Sequence, residues 1–372
     1  MISMKNDNEL IEYFGKTRNI KQSTLDQYKI YLKEYSDFNS MTLTELLEEA
    51  EQEEEIGKRW KYRSLKKRLI EYRTYLYDKH SKLTAKQRFI KIQAFYTHFD
   101  IEIHNLPKFN EKNLEANRKI AFTDLLTKED LRNAIDVNLS PIIKPLILFM
   151  ASSGCARAET LSLTVGDYIN ATKNYHNGGN IEDILETLSH QEDVIPTWNV
   201  LRIKTNKYYT TFSSPESSKA INIYLQGRQD KLTLKSKLFK ISEDYIVELF
   251  IRINDTLGLG YVGKFRKLRT HMLRKFHASS LMNDGMSREL VNDLEGRSKS
   301  VTDEAYFFNN EESLFEEYIK HLHAVTIMED VKKLSIKSPE FVQIENENKE
   351  LKTELDAIKA DIMSIKKAFE SK

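Results

Sequence analysis

The chain has 372 residues, a formal net charge of +1 and a single cysteine, Cys155. That length exceeds one comfortable core and predicts two or three domains. The lone cysteine excludes an internal disulfide framework, and neither a membrane-length apolar run nor the apolar core of a signal peptide is visible, so a cytoplasmic protein with no membrane partner is expected.

Residues 1–112 read as a helical domain. Ser23 or Thr24 is placed to cap a helix containing Leu25, Tyr28 and Leu32. An acidic block, Glu48, Glu49, Glu51, Glu53, Glu54 and Glu55, is followed at once by Lys58, Arg59, Lys61, Arg63, Lys66, Lys67 and Arg68. Tyr62, Leu65, Leu69, Tyr72 and Leu76 recur at helical spacing, which turns the basic residues toward the other faces. Such a face either holds phosphates or is simply solvated, and the cluster alone does not decide between them. Phe89, Ile92, Phe95 or Tyr96, and Phe99 mark a further amphipathic helix.

Asn105-Leu106-Pro107 ends this pattern, and residues 113–122 are expected to form a linker. Thr127-Lys128-Glu129-Asp130 is a capping signal for a new helix, ahead of a strongly apolar one around Ile142 to Met150. Residues 169–196, with Asn-Gly-Gly and a short helical stretch, read as an insertion. Val200 to Ile203 and Tyr208 to Phe212 alternate like strands around a polar turn at Thr205-Asn206. A second basic cluster holds Lys264, Arg266 and Lys267, joined by Arg269, Arg274 and Lys275. Over residues 336–372 a heptad seam runs through Asn348, Leu351, Leu355, Ile358, Ile362 and Ile365, which predicts a coiled coil between protomers or a helix packed on its own domain.

Four separated pieces carry chemistry that fits one reaction. They are Gly154-Cys155-Ala156-Arg157-Ala158-Glu159, the hairpin Arg202-Ile203-Lys204-Thr205-Asn206-Lys207, His271-Met272-Leu273-Arg274, and Gly296-Arg297-Ser298 followed by Tyr306. Phosphoryl transfer concentrates negative charge on the non-bridging oxygens. Arg157 and Arg274 supply planar forks for those oxygens, and His271 lies one helical turn from Arg274 on the same face. Lys204, at a hairpin tip, is suited to protonate a leaving 5′ oxygen, with Lys207 the second choice. Tyr306 is suited to be the nucleophile. It is one of 18 tyrosines, and it competes with Tyr318 and with a core role beside Phe307 and Phe308. Glu159 is expected to support the arginine loop, Cys155 to pack, and His277 to face the interior. No metal cluster and no cofactor is read.

At these residues the chain resembles the tyrosine recombinase (phage integrase) family, in particular archaeal and mobile-element integrases. The order Arg, Lys, His-x-x-Arg, His/Trp, Tyr is matched by Arg157, Lys204, His271, Arg274, Arg297 and Tyr306. The separations from Arg274 to Arg297 and from Arg297 to Tyr306 are similar to the family's usual ones. Two positions depart from the pattern. Arg157 stands three residues after Gly154 where the family's first arginine commonly stands two after, with no other arginine close by in sequence. Arg297 stands where the family has His or Trp.

The resemblance covers most of the chain and implies a mainly α fold with a small β-sheet. A helical core-binding domain (1–112) and a mixed α/β catalytic domain (123–330) would clamp duplex DNA, followed by the coiled-coil-like tail. It also implies cleavage and rejoining through a 3′-phosphotyrosine without a cofactor, by a homodimer or tetramer on DNA. Lys58, Arg59, Lys61, Arg63, Lys66, Lys67, Arg68, Lys207, Lys264, Arg266 and Lys267 are the expected DNA contacts, and a helix carrying Leu314, Phe315 and Tyr318 is expected to dock between protomers. The alternatives are a type IB topoisomerase-like relaxase and a catalytically silent DNA-binding protein.

Overall fold

Helix α1 (Asp7–Thr17) begins where the Asn6 side chain accepts the Glu9 amide, a polar cap on one of the unpaired first-turn donors. The structure, a computed structural model, describes residues 6–110, 121–297 and 310–328. Tyr306, Ser298, the tail over 336–372 and most of the linker expected over 113–122 lie outside the described residues. Two compact units divide the chain, Met1–Lys119 and Ile120–Lys372.

In the first unit α1 is followed by α2 (Gln22–Asn39), α3 (Leu43–Glu55), α4 (Ser64–Lys79) and α5 (Lys82–His98). Leu65, Leu69, Tyr72 and Leu76 form the buried stripe of α4, and Phe89, Ile92, Phe95 and Tyr96 that of α5. Both stripes join Phe14, Leu32 and Tyr35 in one core. Burial of each such side chain contributes about 1.5–3 kcal/mol. Buried hydroxyls find each other, with Tyr35 and Tyr96 bonded at 3.1 Å.

Two sequence expectations are corrected here. Helix α2 starts at Gln22 behind Lys21, with no side-chain cap, so neither Ser23 nor Thr24 serves that role. Tyr62 is not part of the α4 stripe. It sits in the 3₁₀ turn Trp60–Tyr62 before the helix, 63% exposed, with the Lys61 ammonium 4.6 Å from its ring centre.

The second unit opens with α6 (Lys128–Asp136), whose Thr127 and Asp130 form the reciprocal capping box read from the sequence. Helix α7 (Ile143–Ser153) is buried at every residue except Lys144. A helix apolar all round belongs in the middle of a domain, and α7 packs against α11 (Pro215–Gln226) and α13 (Thr270–Asn283). Between them run α8 (Arg157–Ser162), α9 (Val165–Ala171), α10 (Ile181–Ser189) and the hairpin β1 (Thr197–Arg202) and β2 (Lys207–Phe212). The strands pair antiparallel from Thr197 with Phe212 to Arg202 with Lys207. Asn206 adopts a left-handed conformation, φ 56°, that its short polar side chain tolerates in the turn.

Helix α12 (Glu243–Thr256), the small hairpin β3 (Tyr261–Val262) and β4 (Phe265–Arg266), and α14 (Arg288–Leu294) follow. The last described helix is α15 (Glu311–Val325). Its Leu314, Phe315 and Tyr318 are buried in a cluster with Phe212, Ala278, Leu281 and Leu294, and the Tyr318 hydroxyl donates to the Ser152 carbonyl at 2.9 Å. The expectation that these side chains dock on a second protomer is therefore corrected: their own domain already covers them. The same burial, which pushes the Tyr318 phenol far up, removes Tyr318 as a nucleophile. Among the described residues no helix is long and apolar enough to cross a membrane.

Candidate active site

Helix α7 ends at Gly154, φ 67°, a left-handed stop suited to glycine. A Cβ at this position would lie 2.5 Å from Nδ1 of the fully buried His277, so the close approach requires glycine as well. Past this turn Cys155 is buried, and burial pushes its thiol up to about 11, which fits packing and not reaction. Arg157 then becomes the first residue of α8. Its Nη2 is bonded to Glu243 Oε1 at the start of α12.

Helix α13 presents His271 and Arg274 one turn apart. Arg274 is 7% exposed and is held by two carbonyls: Nη1 donates to Gly154 O at 2.7 Å and Nη2 to Glu295 O at 2.6 Å. A buried guanidinium needs such satisfaction, and here the backbone provides it. Its Nε lies 3.5 Å from Glu295 Oε2, and its Nη1 3.9 Å from Glu159 Oε2. His271 is more exposed. Burial lowers the proton affinity of its ring, and Lys275, Arg269 and Arg274 lower it further.

Arg157, His271 and Arg274 line one cavity of about 660 Å³, together with Lys264, Arg266 and Arg269. Glu243 is the one carboxylate among the lining residues. Low-dielectric walls lined with one sign of charge focus the field on an anion.

Two carboxylates that sequence reasoning undervalued organise this ground. Glu159, 3% exposed, accepts the Ala156 amide and the Tyr209 hydroxyl on Oε2, at 2.9 and 3.0 Å, and Arg202 Nη1 on Oε1 at 2.9 Å. Glu295 is fully buried, accepts Arg297 Nε at 2.5 Å, and has Oε1 3.6 Å from His277 Nδ1. Burial alone pushes Glu295 up, but His277, Arg274 and Arg297 outweigh it and hold the carboxyl below its ordinary range. Glu159 was read only as support for the arginine loop; Arg202 carried no signal because its partners are remote in sequence, and Glu295 none because only the fold brings Arg274 and His277 to it.

Arg297 follows Gly296, φ 58°, where an added Cβ would fall 2.4 Å from the Tyr209 ring. Arg297 is joined to Arg274 through Glu295 and is otherwise half in solvent. Lys204 lies in the exposed turn of the β1–β2 hairpin and Lys207 opens β2, also exposed. The base of this hairpin is tied to the arginine network by Arg202 and Tyr209. Tyr306 lies outside the described residues, so its distance from the arginines is not part of this geometry.

The expected DNA contacts of the first unit are partly spent internally. Lys58 pairs with Glu53 at 2.5 Å, Arg63 with Glu54, and Arg68 with both oxygens of Glu49 at 2.8 and 3.0 Å. The acidic block of α3 thus neutralises three members of the basic cluster. Arg59, Lys61 and Lys67 are exposed and Lys66 is half-buried. In the second unit Arg266 is bidentate to Asp255 at 2.7 and 2.8 Å, and Lys267 bonds Asp130 at 2.8 Å, while Lys264 is exposed.

No family model and no curated protein matches the sequence. Solved structures do match. The XerH site-specific recombinase bound to palindromic difH substrate, in a post-cleavage complex, aligns at 17% identity with TM-score 0.53, covering 84% of each chain. The Tn1549 transposon integrase in complex with a circular-intermediate DNA aligns at 13% identity with TM-score 0.51, covering 85% of this chain and 99% of that one. At these identities the likeness is one of fold: the chain is built as a tyrosine recombinase or integrase is built, mostly helical with a small antiparallel sheet.

Proposed function

We propose that the chain is a site-specific DNA recombinase that cleaves and rejoins DNA through a 3′-phosphotyrosine on Tyr306. The single observation that carries this reading is the buried, carbonyl-held Arg274 opening on a cavity that it shares with Arg157 and His271. A guanidinium fixed before substrate arrives costs no reorganisation when charge develops on a phosphoryl oxygen. The solved recombinase and integrase structures of like fold support the same substrate class.

In this reading Arg157, Arg274, His271 and Arg297 hold the non-bridging oxygens of the scissile phosphate. The Tyr306 hydroxyl attacks phosphorus and forms the phosphotyrosine bond as the phosphorus–5′ oxygen bond breaks. Lys204, from the exposed turn of the hairpin, gives its proton to that 5′ oxygen. A 5′ hydroxyl from a partner strand then attacks the phosphotyrosine and restores Tyr306. The first unit serves as the core-binding domain, and the acting species is a dimer or tetramer on duplex DNA.

The test is a labelled pool of nicked duplexes with randomised sequence around the nick, incubated with the protein and run on a denaturing gel. A protein–DNA adduct that disappears in Tyr306→Phe is expected. Tight binding with no adduct in the wild-type lane overturns the enzymatic reading in favour of a silent DNA-binding protein. Supercoil relaxation without exchange between sites redirects it to a topoisomerase-like relaxase.

A further inference from the structure

Arg157, the first arginine of the site by sequence, sits one position later than the resembling family has it, and in space its guanidinium turns to Glu243 at the cavity wall. Beside Arg274 stands a different guanidinium. Arg202, the last residue of β1, donates through Nη1 to Glu159 Oε1 at 2.9 Å and to the Glu295 carbonyl at 3.4 Å. Arg274 donates to that same carbonyl at 2.6 Å and lies 3.9 Å from the same Glu159 carboxylate. Two arginines thus share one carbonyl oxygen and one carboxylate, far from each other in sequence and adjacent in the fold.

A purely structural ion pair explains this arrangement poorly. Glu159 already accepts the Ala156 amide and the Tyr209 hydroxyl, so its carboxylate is not short of donors. The hydrogen bonds of Arg202 among the described residues both leave from Nη1. Its side chain is 17% exposed, more open than that of Arg274. The three guanidinium groups of Arg202, Arg274 and Arg297 meet two buried carboxylates, Glu159 and Glu295, and so one positive charge is left over. Fixed, partly desolvated cations in excess of their counter-ions make an anion site.

Resting on the recombinase reading, we propose that Arg202 is a phosphate-binding residue of the active site. It is a further guanidinium that joins Arg274 on the scissile phosphate, where Arg157 is partly engaged by Glu243. Its position two residues before Lys204 also joins the phosphate grip to the hairpin that delivers the general acid.

The experiment compares wild type, Arg202→Lys and Arg202→Ala on the randomised nicked-duplex pool, with DNA affinity by anisotropy and thermal unfolding read in parallel. Lysine can neutralise Glu159 but has no fork for two oxygens. The expected result for Arg202→Lys is an adduct rate reduced at least about tenfold with DNA affinity and melting temperature close to wild type, the size expected for loss of one transition-state donor. A rate within about twofold of wild type overturns the proposal.

Should Arg202→Ala unfold in part, a second readout stays decisive. A neutral methylphosphonate at the scissile position removes one oxygen charge, and it is expected to restore part of the lost rate in the Arg202 variants but not in Tyr306→Phe. A structural role predicts no such restoration, and its absence sinks the proposal. No adduct in the wild-type lane is the separate outcome that removes the recombinase reading itself and this inference with it.

Discussion

Glu295 carries three opposing demands at one buried position. Its carboxylate faces Arg297, Arg274 and His277, and its carbonyl receives Arg274 and Arg202. Because the folded-state proton affinity is depressed, the ionised form contributes stability that is fully present above the ordinary glutamate value of 4.5. That contribution is lost as pH falls through the lower folded value. Glu295→Gln is expected to unfold more easily at neutral pH, since buried Arg274 loses its counter-ion, and to show a flatter acid limb than wild type. Denaturant titrations from pH 3 to 7 check this, and parallel acid limbs in the two proteins contradict it.

The same residue shows what the sequence could not carry. Residue type and spacing along the chain singled out Arg157, His271, Arg274 and Arg297, and the fold brings the first three to one cavity. Arg202 and Glu295 act through contacts spanning 43 and 93 residues, and no local pattern encodes a partner at that distance. The charge compensation of Arg63 and Arg68 was hidden for a milder reason. The acidic block stood next to the basic one in the sequence, but only the antiparallel return of α4 along α3 makes them partners.

Between residue and domain, elements are set by their ends and their buried stripes. The Thr127 box and the α4 and α5 stripes were legible because capping and periodicity are local. The start of α2 and the place of Tyr62 were not, since packing decides where a helix yields to a turn. Gly154 illustrates an end that tertiary contact dictates. Gly154→Ala meets both the left-handed backbone, costing about 1 kcal/mol, and the His277 ring. Gly258→Ala, φ 63° with nothing near its Cβ, meets only the backbone cost. The first is expected to be destabilised more than the second by denaturant unfolding, and equal losses would show that the His277 ring yields freely.

Helix α15 is held by the same logic. Phe315 is 4% exposed and packs edge-on against Phe212 at 5.1 Å. Phe315→Ala is expected to cost about 3–5 kcal/mol of stability with no change of mass by light scattering. A change of mass without a loss of stability would return this helix to the role of a docking surface.

On the scale of the whole molecule, a net charge of +1 gives no general attraction to a polyanion. On the proposed reading, affinity for DNA comes from cations that the fold leaves uncompensated, and their number sets the salt dependence. Arg68, bidentate to Glu49, and Arg266, bidentate to Asp255, are already neutralised, so on the proposed reading they release no counterions when DNA binds. Lys264, exposed on the cavity rim, retains its charge for a phosphate. Lys264→Ala is expected to reduce the slope of log affinity against log salt by about 0.9, the effect of one lost phosphate contact. Arg68→Ala is expected to leave the slope unchanged and to lower the melting temperature, because Glu49 loses its fork. Anisotropy titrations between 50 and 300 mM salt separate the two. A slope that falls for Arg68→Ala means the Glu49 pair opens on DNA, so that the acidic block would compete with phosphate for the basic face and weaken binding as a built-in counter-ion.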